Sequence, residues 1–144
     1  MVIVLDTSLS VGWSDYAHIS TFLLTLTDHV IKDLNLHDGR IPVGIVTFSS
    51  TVRPMFNLSL FTTVTPLQTV ISSFNYSRGA TNTAAALAYV RTMMLTPLAG
   101  ARHGVPKVVV VLTDGKSSDP AATQVHGTAP VSYTHLTLPT KRIV

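Results

Sequence analysis

Four consecutive apolar residues, Val2-Ile3-Val4-Leu5, run straight into Asp6. Side chains alternate faces along a strand, so a run with no polar alternate must be buried on both faces, as in a parallel sheet covered by helices. Ile41 to Phe48 and Lys107 to Leu112 are two further β-branched, mostly apolar runs of the same kind. An open sheet of this sort places its ligands beyond the carboxyl ends of the strands, which is where Asp6 falls. Ser8 and Ser10 follow on the turn leading out of that strand. Three hard oxygen donors within five residues suit Mg²⁺ or a similar cation. Serines here equally suit the cap of a following helix, and this stretch alone leaves both readings open.

The segments between the buried runs read as helices. From Ser14 or Asp15 to about Leu34, apolar residues fall at Ile19, Phe22, Leu23, Leu26, Val30 and Leu34, spacings of 3 and 4 that predict an amphipathic helix. Asp38-Gly39 is a turn. Thr51 to Asn57 alternates and holds Pro54, which confines it to a sheet edge. Thr65-Pro66 opens a short helix with Leu67, Val70, Ile71 and Phe74 inward. The loop Ser77-Arg78-Gly79-Ala80-Thr81-Asn82-Thr83 feeds a helix from Ala84 to about Leu95, with Thr83 as its expected cap. The order β-α-β-β-α-α-β predicts an α/β fold: a doubly wound, mainly parallel sheet with helices on both faces.

Composition removes several function classes. Charged residues make up 12% of the 144-residue chain, against a usual ~25%, and all seven acidic residues are aspartate. The net charge of +3 falls to +1 without Lys141 and Arg142, and no basic stripe with interleaved aromatics is present, which argues against nucleic acid. The absence of cysteine excludes disulfides and thiolate metal sites. No apolar run is long enough to span a bilayer, and Asp6 arrives too early for a signal-peptide core. The six histidines are scattered without metal-ligand spacing. Asn57-Leu58-Ser59 and Asn75-Tyr76-Ser77 are glycosylation sequons, candidates at Asn57 and Asn75 that fit a secreted protein. Trp13, just past the serines, reads as packing beside the site.

Asp6 and Asp114 each end a buried strand; if the two strands are neighbours, they flank the crevice at the switch point. Thr81 precedes a helix and can reach the same crevice. Asp6-Thr7-Ser8-Leu9-Ser10, Ala80-Thr81-Asn82-Thr83 and Leu112-Thr113-Asp114-Gly115 together resemble the three segments of the metal-ion-dependent adhesion site of von Willebrand factor type A domains. The resemblance covers Val2 to about Asp119 and includes Val43-Gly44-Ile45-Val46-Thr47-Phe48-Ser49 and Val105-Pro106-Lys107-Val108-Val109-Val110. Those two pieces look most like the collagen-associated and matrilin members. Leu9 and Ala80 stand where the family often has glycine.

The resemblance implies a Rossmann-like sheet in the order 3-2-1-4 with two further strands beyond. It implies a divalent cation, Mg²⁺ or else Mn²⁺ or Ca²⁺, held directly by Ser8, Ser10 and Thr81, with Asp6 and Asp114 acting directly or through water. The function implied is that of an extracellular adhesion or matrix module that binds an acidic side chain of a protein such as collagen, another matrix protein or a receptor. A structural A domain without metal use is the alternative. An aspartyl phosphotransferase is disfavoured because Ser8 occupies the place of that class's second aspartate. A dinucleotide enzyme is disfavoured because no Gly-x-Gly-x-x-Gly follows the first strand. The chain is therefore read as a non-enzyme.

After Asp119-Pro120 the pattern of alternating elements fails. Val131 to Val144 resembles the translated sequencing-adapter tails of some assembled transcript fragments. Residues 1–125 are accordingly expected to be a C-terminally truncated domain and 126–144 a non-native tail, which would leave the strand at Lys107–Leu112 as an open edge.

Overall fold

The computed structural model describes residues 1–11, 18–25, 28, 42–59, 69, 71, 77–113, 117–128 and 134–137. The first strand, β1 (Val2–Asp6), is buried along its whole length. It lies between β2 (Gly44–Phe48) and β4 (Lys107–Leu112), parallel to both. The strand β3 (Val52–Phe56) pairs antiparallel with β2, and β5 (Thr134–Thr137) pairs parallel with β4. The sheet order is β3-β2-β1-β4-β5. The order 3-2-1-4 is the expected one, and β1 and β4 are the expected neighbours.

Period-2 alternation along β1 divides the core in two. Ile3 and Leu5 join a cluster with Val11, Leu23, Ile45 and Ile71 on one face. Val2 and Val4 join Val46, Phe48, Leu87, Val90 and Met94 on the other. The first face is covered by α1 (18–25) and the second by α2 (Thr83–Tyr89) with its π-helical continuation Val90–Met94. Burial on both faces explains why β1 carries no polar alternate; β4 departs from that expectation, since Val109 and Val111 are buried while Val108 is 38% exposed and Val110 only partly buried. Edge strand β3 is different: Arg53 and Pro54 are exposed, and the register slips between Ile45 and Val46. Proline is tolerated there because an edge position needs no ladder donor.

Four expectations need correction. Phe22, assigned to the inner face of the first helix, is 50% exposed, whereas Leu23 is fully buried and Leu24 packs on the core. The cap of α2 is Asn82, whose Oδ1 accepts from Ala85 N at 3.1 Å, and Thr83 is the first helical residue. A helix follows Asp119-Pro120 after all, α3 (Pro120–Thr128). It begins on a cap legible in the sequence, Asp119 Oδ1 accepting from Ala122 N at 2.9 Å, with Pro at the first position. None of its residues is buried, so it carries no apolar period to read. Finally, β4 is not an open edge, since Lys107 to Val110 are in register with Thr134 to Thr137. Both α3 and β5 extend past residue 125, the expected end of the domain. Leu26, Val30, Leu34, Leu67, Val70 and Phe74 lie outside the described residues.

Candidate functional site

The sheet runs outward in opposite directions from β1 and β4, so their carboxyl ends form a switch point. Asp6 ends β1 and is fully buried. Its Oδ1 accepts from Ser8 N at 2.8 Å, and its Oδ2 accepts from Thr113 Oγ1 at 2.6 Å. The second bond follows from register: Leu5 is level with Leu112, so Asp6 faces the residue after β4. Both partners are neutral donors, and among the described residues no cation pairs with this carboxylate. A buried carboxylate without a counter-ion is costly and is ordinarily paired or placed on a metal.

The turn after Asp6 tightens into a single 3₁₀ turn, Leu9–Val11. It brings Ser8 and Ser10 Oγ to 2.9 Å from one another. Thr81 comes from the loop before α2; its Oγ1 donates to Ser8 Oγ at 2.9 Å and lies 3.4 Å from Ser10 Oγ. Ser8 and Thr81 are buried while Ser10 is exposed, so the triangle of hydroxyls opens to solvent on the Ser10 side. Four of the five expected residues therefore bear on one place in the described structure: Ser8, Ser10 and Thr81 as a cluster, and Asp6 directly behind Ser8. Asp114, Trp13 and Asn75 lie outside the described residues. Thr113, the neighbour of Asp114, reaches the site through Asp6.

The triangle fits a small hard cation. Ligands at the Mg–O distance of about 2.0–2.1 Å in an octahedron lie about 2.9 Å apart along each edge. Two sides of the hydroxyl triangle have that length and the third is 3.4 Å. Hydroxyl and carboxylate oxygens are the donors such ions take. Among the described residues no three His, Cys, Asp or Glu side chains form a metal cluster.

A polar layer that sequence reasoning missed holds the loops in position. Thr7 Oγ1 donates to Phe48 O at 3.0 Å and shares a 2.6 Å hydrogen bond with Ser77 Oγ, which also donates to Ser49 Oγ. Leu9 N donates to Gly79 O, and Ala80 N to Ser50 Oγ. Ser118 donates to Thr81 O through both N and Oγ, at 2.9 and 3.0 Å. The visible signal was the density of Ser and Thr at strand ends, but pairing them needs the strand order. Gly79 has φ +99°, and a Cβ there would lie 2.6 Å from Ser50 Oγ. Arg78 beside it also has positive φ, 56°. The substitution of Leu9 for the family's common glycine is accommodated because its side chain is 63% exposed.

A doubly wound sheet with this order and a hydroxyl–carboxylate crevice at its switch point defines an α/β domain of the Rossmann-like kind. The sequence model of the von Willebrand factor type A domain matches residues 1–132, and the chain belongs to that family. Its relatives are matrix proteins. It is 33% identical over 121 residues to the mouse (Mus musculus) collagen alpha-4(VI) chain, covering 83% of this chain and 5% of that one. It is 34% identical over 119 residues to human (Homo sapiens) matrilin-1, covering 83% of this chain and 23% of the relative. The chain thus spans under a quarter of either relative. Among solved structures, proximal thread matrix protein 1 from the mussel byssus superposes with a TM-score of 0.81 at 25% identity, covering 95% of this chain and 36% of that one. A second structure of the mussel protein, described as having a zinc-occupied MIDAS motif, gives a TM-score of 0.78 at 24% identity over the same shares. Among the described residues no helix is long and apolar enough to cross a membrane.

Proposed function

We propose that this domain is an extracellular, matrix-type adhesion module, not an enzyme, that holds a divalent cation at the switch point and binds an acidic side chain of a protein ligand. The observation that carries the reading is the fully buried Asp6, with neutral donors on both oxygens, directly behind three hydroxyls of which two of the three separations match an octahedral edge. Ser8, Ser10 and Thr81 would hold the ion directly; Asp6 and Asp114 would act directly or through water. Mg²⁺ fits the spacing best, with Mn²⁺ and Ca²⁺ as the other candidates. The zinc-occupied motif of the mussel protein supports a divalent ion in this fold without selecting which.

When bound, the ion supplies a Lewis-acidic point for a partner's carboxylate. The chain's residues keep that point electron-poor, because three of the ligands are neutral and two aspartates only balance the charge. Ser10, on the open side, marks where a partner would approach, with exposed Leu9 and Arg78 at the rim. Collagen, another matrix protein or a receptor ectodomain is the class of partner.

The three hydroxyls also satisfy one another by hydrogen bonding. That favours, as the second reading, a structural A domain that uses no metal. Calorimetric titration with Mg²⁺, Mn²⁺ and Ca²⁺ separates the two. The metal reading expects saturable heat that disappears in Asp114→Ala while the circular dichroism spectrum is retained. It also expects a glutamate-bearing peptide to bind in Mg²⁺ and not in EDTA; equal binding in both would sink it.

A further inference from the structure

We infer that Asn57 is an N-glycosylation site whose first sugar lies over the apolar groove between β3 and the segment after α2. The groove, about 530 Å³, is lined by Pro54, Asn57, Tyr89, Met93 and Leu98 among others. Its rim is strongly apolar at positions that face water: Leu98 is 96% exposed and Met93 54%. Contiguous exposed apolar surface ordinarily marks something that covers it.

The occupant is indicated by the wall of the groove. Asn57-Leu58-Ser59 is a sequon, and its middle residue is an anchor: Leu58 is buried in the cluster with Val46, Val90 and Met94. With Leu58 turned inward, Asn57 and Ser59 are left on the outer side. Ser59 donates to Asn57 Oδ1 through both N, at 3.2 Å, and Oγ, at 2.7 Å. The amide oxygen is therefore occupied, while Nδ2 donates to no described residue and remains available to carry a substituent. The turn is also rigid. Gly100, at φ +92°, approaches so closely that a Cβ would lie 2.7 Å from Ser59 N, so the 97–100 segment with Leu98 is pressed against the sequon. A sugar on Nδ2 thus starts at the groove wall, and its apolar ring face and acetamido methyl group match Leu98 and Met93. N-linked glycans are bulky and solubilising, which fits a surface otherwise exposed to water.

The transfer joins Asn57 Nδ2 to the anomeric carbon of an oligosaccharide supplied by a lipid-linked diphosphate sugar. The anomeric carbon–oxygen bond breaks, the diphosphate leaves with the bonding pair, and Nδ2 loses one proton. This rests on the extracellular part of the functional reading and is independent of the metal.

The test is to secrete the full 144-residue chain from a eukaryotic cell and to map its glycopeptides. Met93 sulfoxide formation in dilute peroxide is then followed before and after enzymatic removal of the glycan from the folded protein, with Met1 as internal reference. The expected result is occupancy at Asn57 that is lost in both Asn57→Gln and Ser59→Ala, and severalfold slower oxidation of Met93 while the glycan is present. An unmodified Asn57 in the secreted chain overturns the proposal. So does an occupied Asn57 with an unchanged Met93 rate, since the glycan then points away. Protection of Met93 that depends on protein concentration without glycan would assign the groove to a second copy instead.

Discussion

Replacing Thr81 with valine separates its hydroxyl from everything else the residue does. Valine keeps the branched Cβ, so the packing of this buried side chain is retained, and Asn82, which caps α2, is untouched. The loss is Oγ1, which donates to Ser8 Oγ at 2.9 Å. Without metal this removes one neutral hydrogen bond, costing about 1 kcal/mol. At about 2.1 cal/mol/K per residue, unfolding 144 residues carries about 0.3 kcal/mol/K of entropy, so the substitution should lower Tm by about 3 °C. With Mg²⁺ at a hundred times its Kd, the wild-type protein should gain about 2.7 kcal/mol. On the same entropy scale that is a rise of about 9 °C. Loss of even an outer-shell partner typically weakens a metal site about 10–100-fold. At the same Mg²⁺ concentration the variant should then gain only about 0.4–1.4 kcal/mol, or about 1–5 °C. Thermal unfolding followed by circular dichroism, in Mg²⁺ and in EDTA, reads all four values. An equal Mg²⁺-dependent rise in both proteins would show that Thr81 holds no ion and refute the reasoning from the hydroxyl triangle.

Gly79→Ala should destabilise by about 1–3 kcal/mol in urea unfolding, because φ +99° is unfavourable for alanine and its Cβ would displace the Ser50 hydroxyl that Ala80 N uses. Leu5→Ala, in the fully buried central strand, should cost about 2–5 kcal/mol and leave any metal affinity of the surviving folded protein unchanged. Burial, and secondarily Arg102, lower the Met1 amino group from 8.0 to about 6. In the chain beginning at Met1 the unfolded state therefore binds the proton first, so stability should fall as pH drops from about 8 to about 6, by up to a couple of kcal/mol, and be fully present above that window. N-terminal acetylation should flatten this dependence in pH-resolved denaturation. Ending the chain at residue 125 should uncover the β4 amides that now pair with Thr134 to Thr137 and promote association through that edge, read as higher oligomers in size-exclusion chromatography.

What could be read from residue order alone is what local physics decides. Apolar runs without alternation read as strands of a covered, mainly parallel sheet, which placed β1, β2 and β4, although in β4 Val108 stays exposed. Pro54 marked the edge because it lacks an N–H. Asp6, Ser8 and Ser10 are adjacent in the chain, so a strand end followed by a tight turn already brings their oxygens together. Asp114, ending a second buried strand, and Thr81, before a helix, joined the set on the condition that the two strands are neighbours, and family resemblance supplied the roles. Other features were decided only by tertiary structure. Helix α3 has no buried side, so only its Asp119-Pro120 cap could have announced it. Phe22 and Leu23 are equally apolar, and which of them faces the sheet depends on the rotation of the helix against it. The bond from Thr113 to Asp6, the Thr7–Ser77–Ser49 chain and the Ser118 clamp on Thr81 join residues 28 to 107 positions apart. Serine and threonine hydroxyls are short and directional, so their pairing follows from strand register and loop approach, which no local pattern encodes. The same holds for the groove beside Asn57: the sequon is three residues of sequence, but the surface it would cover exists only where β3 and the segment after α2 meet.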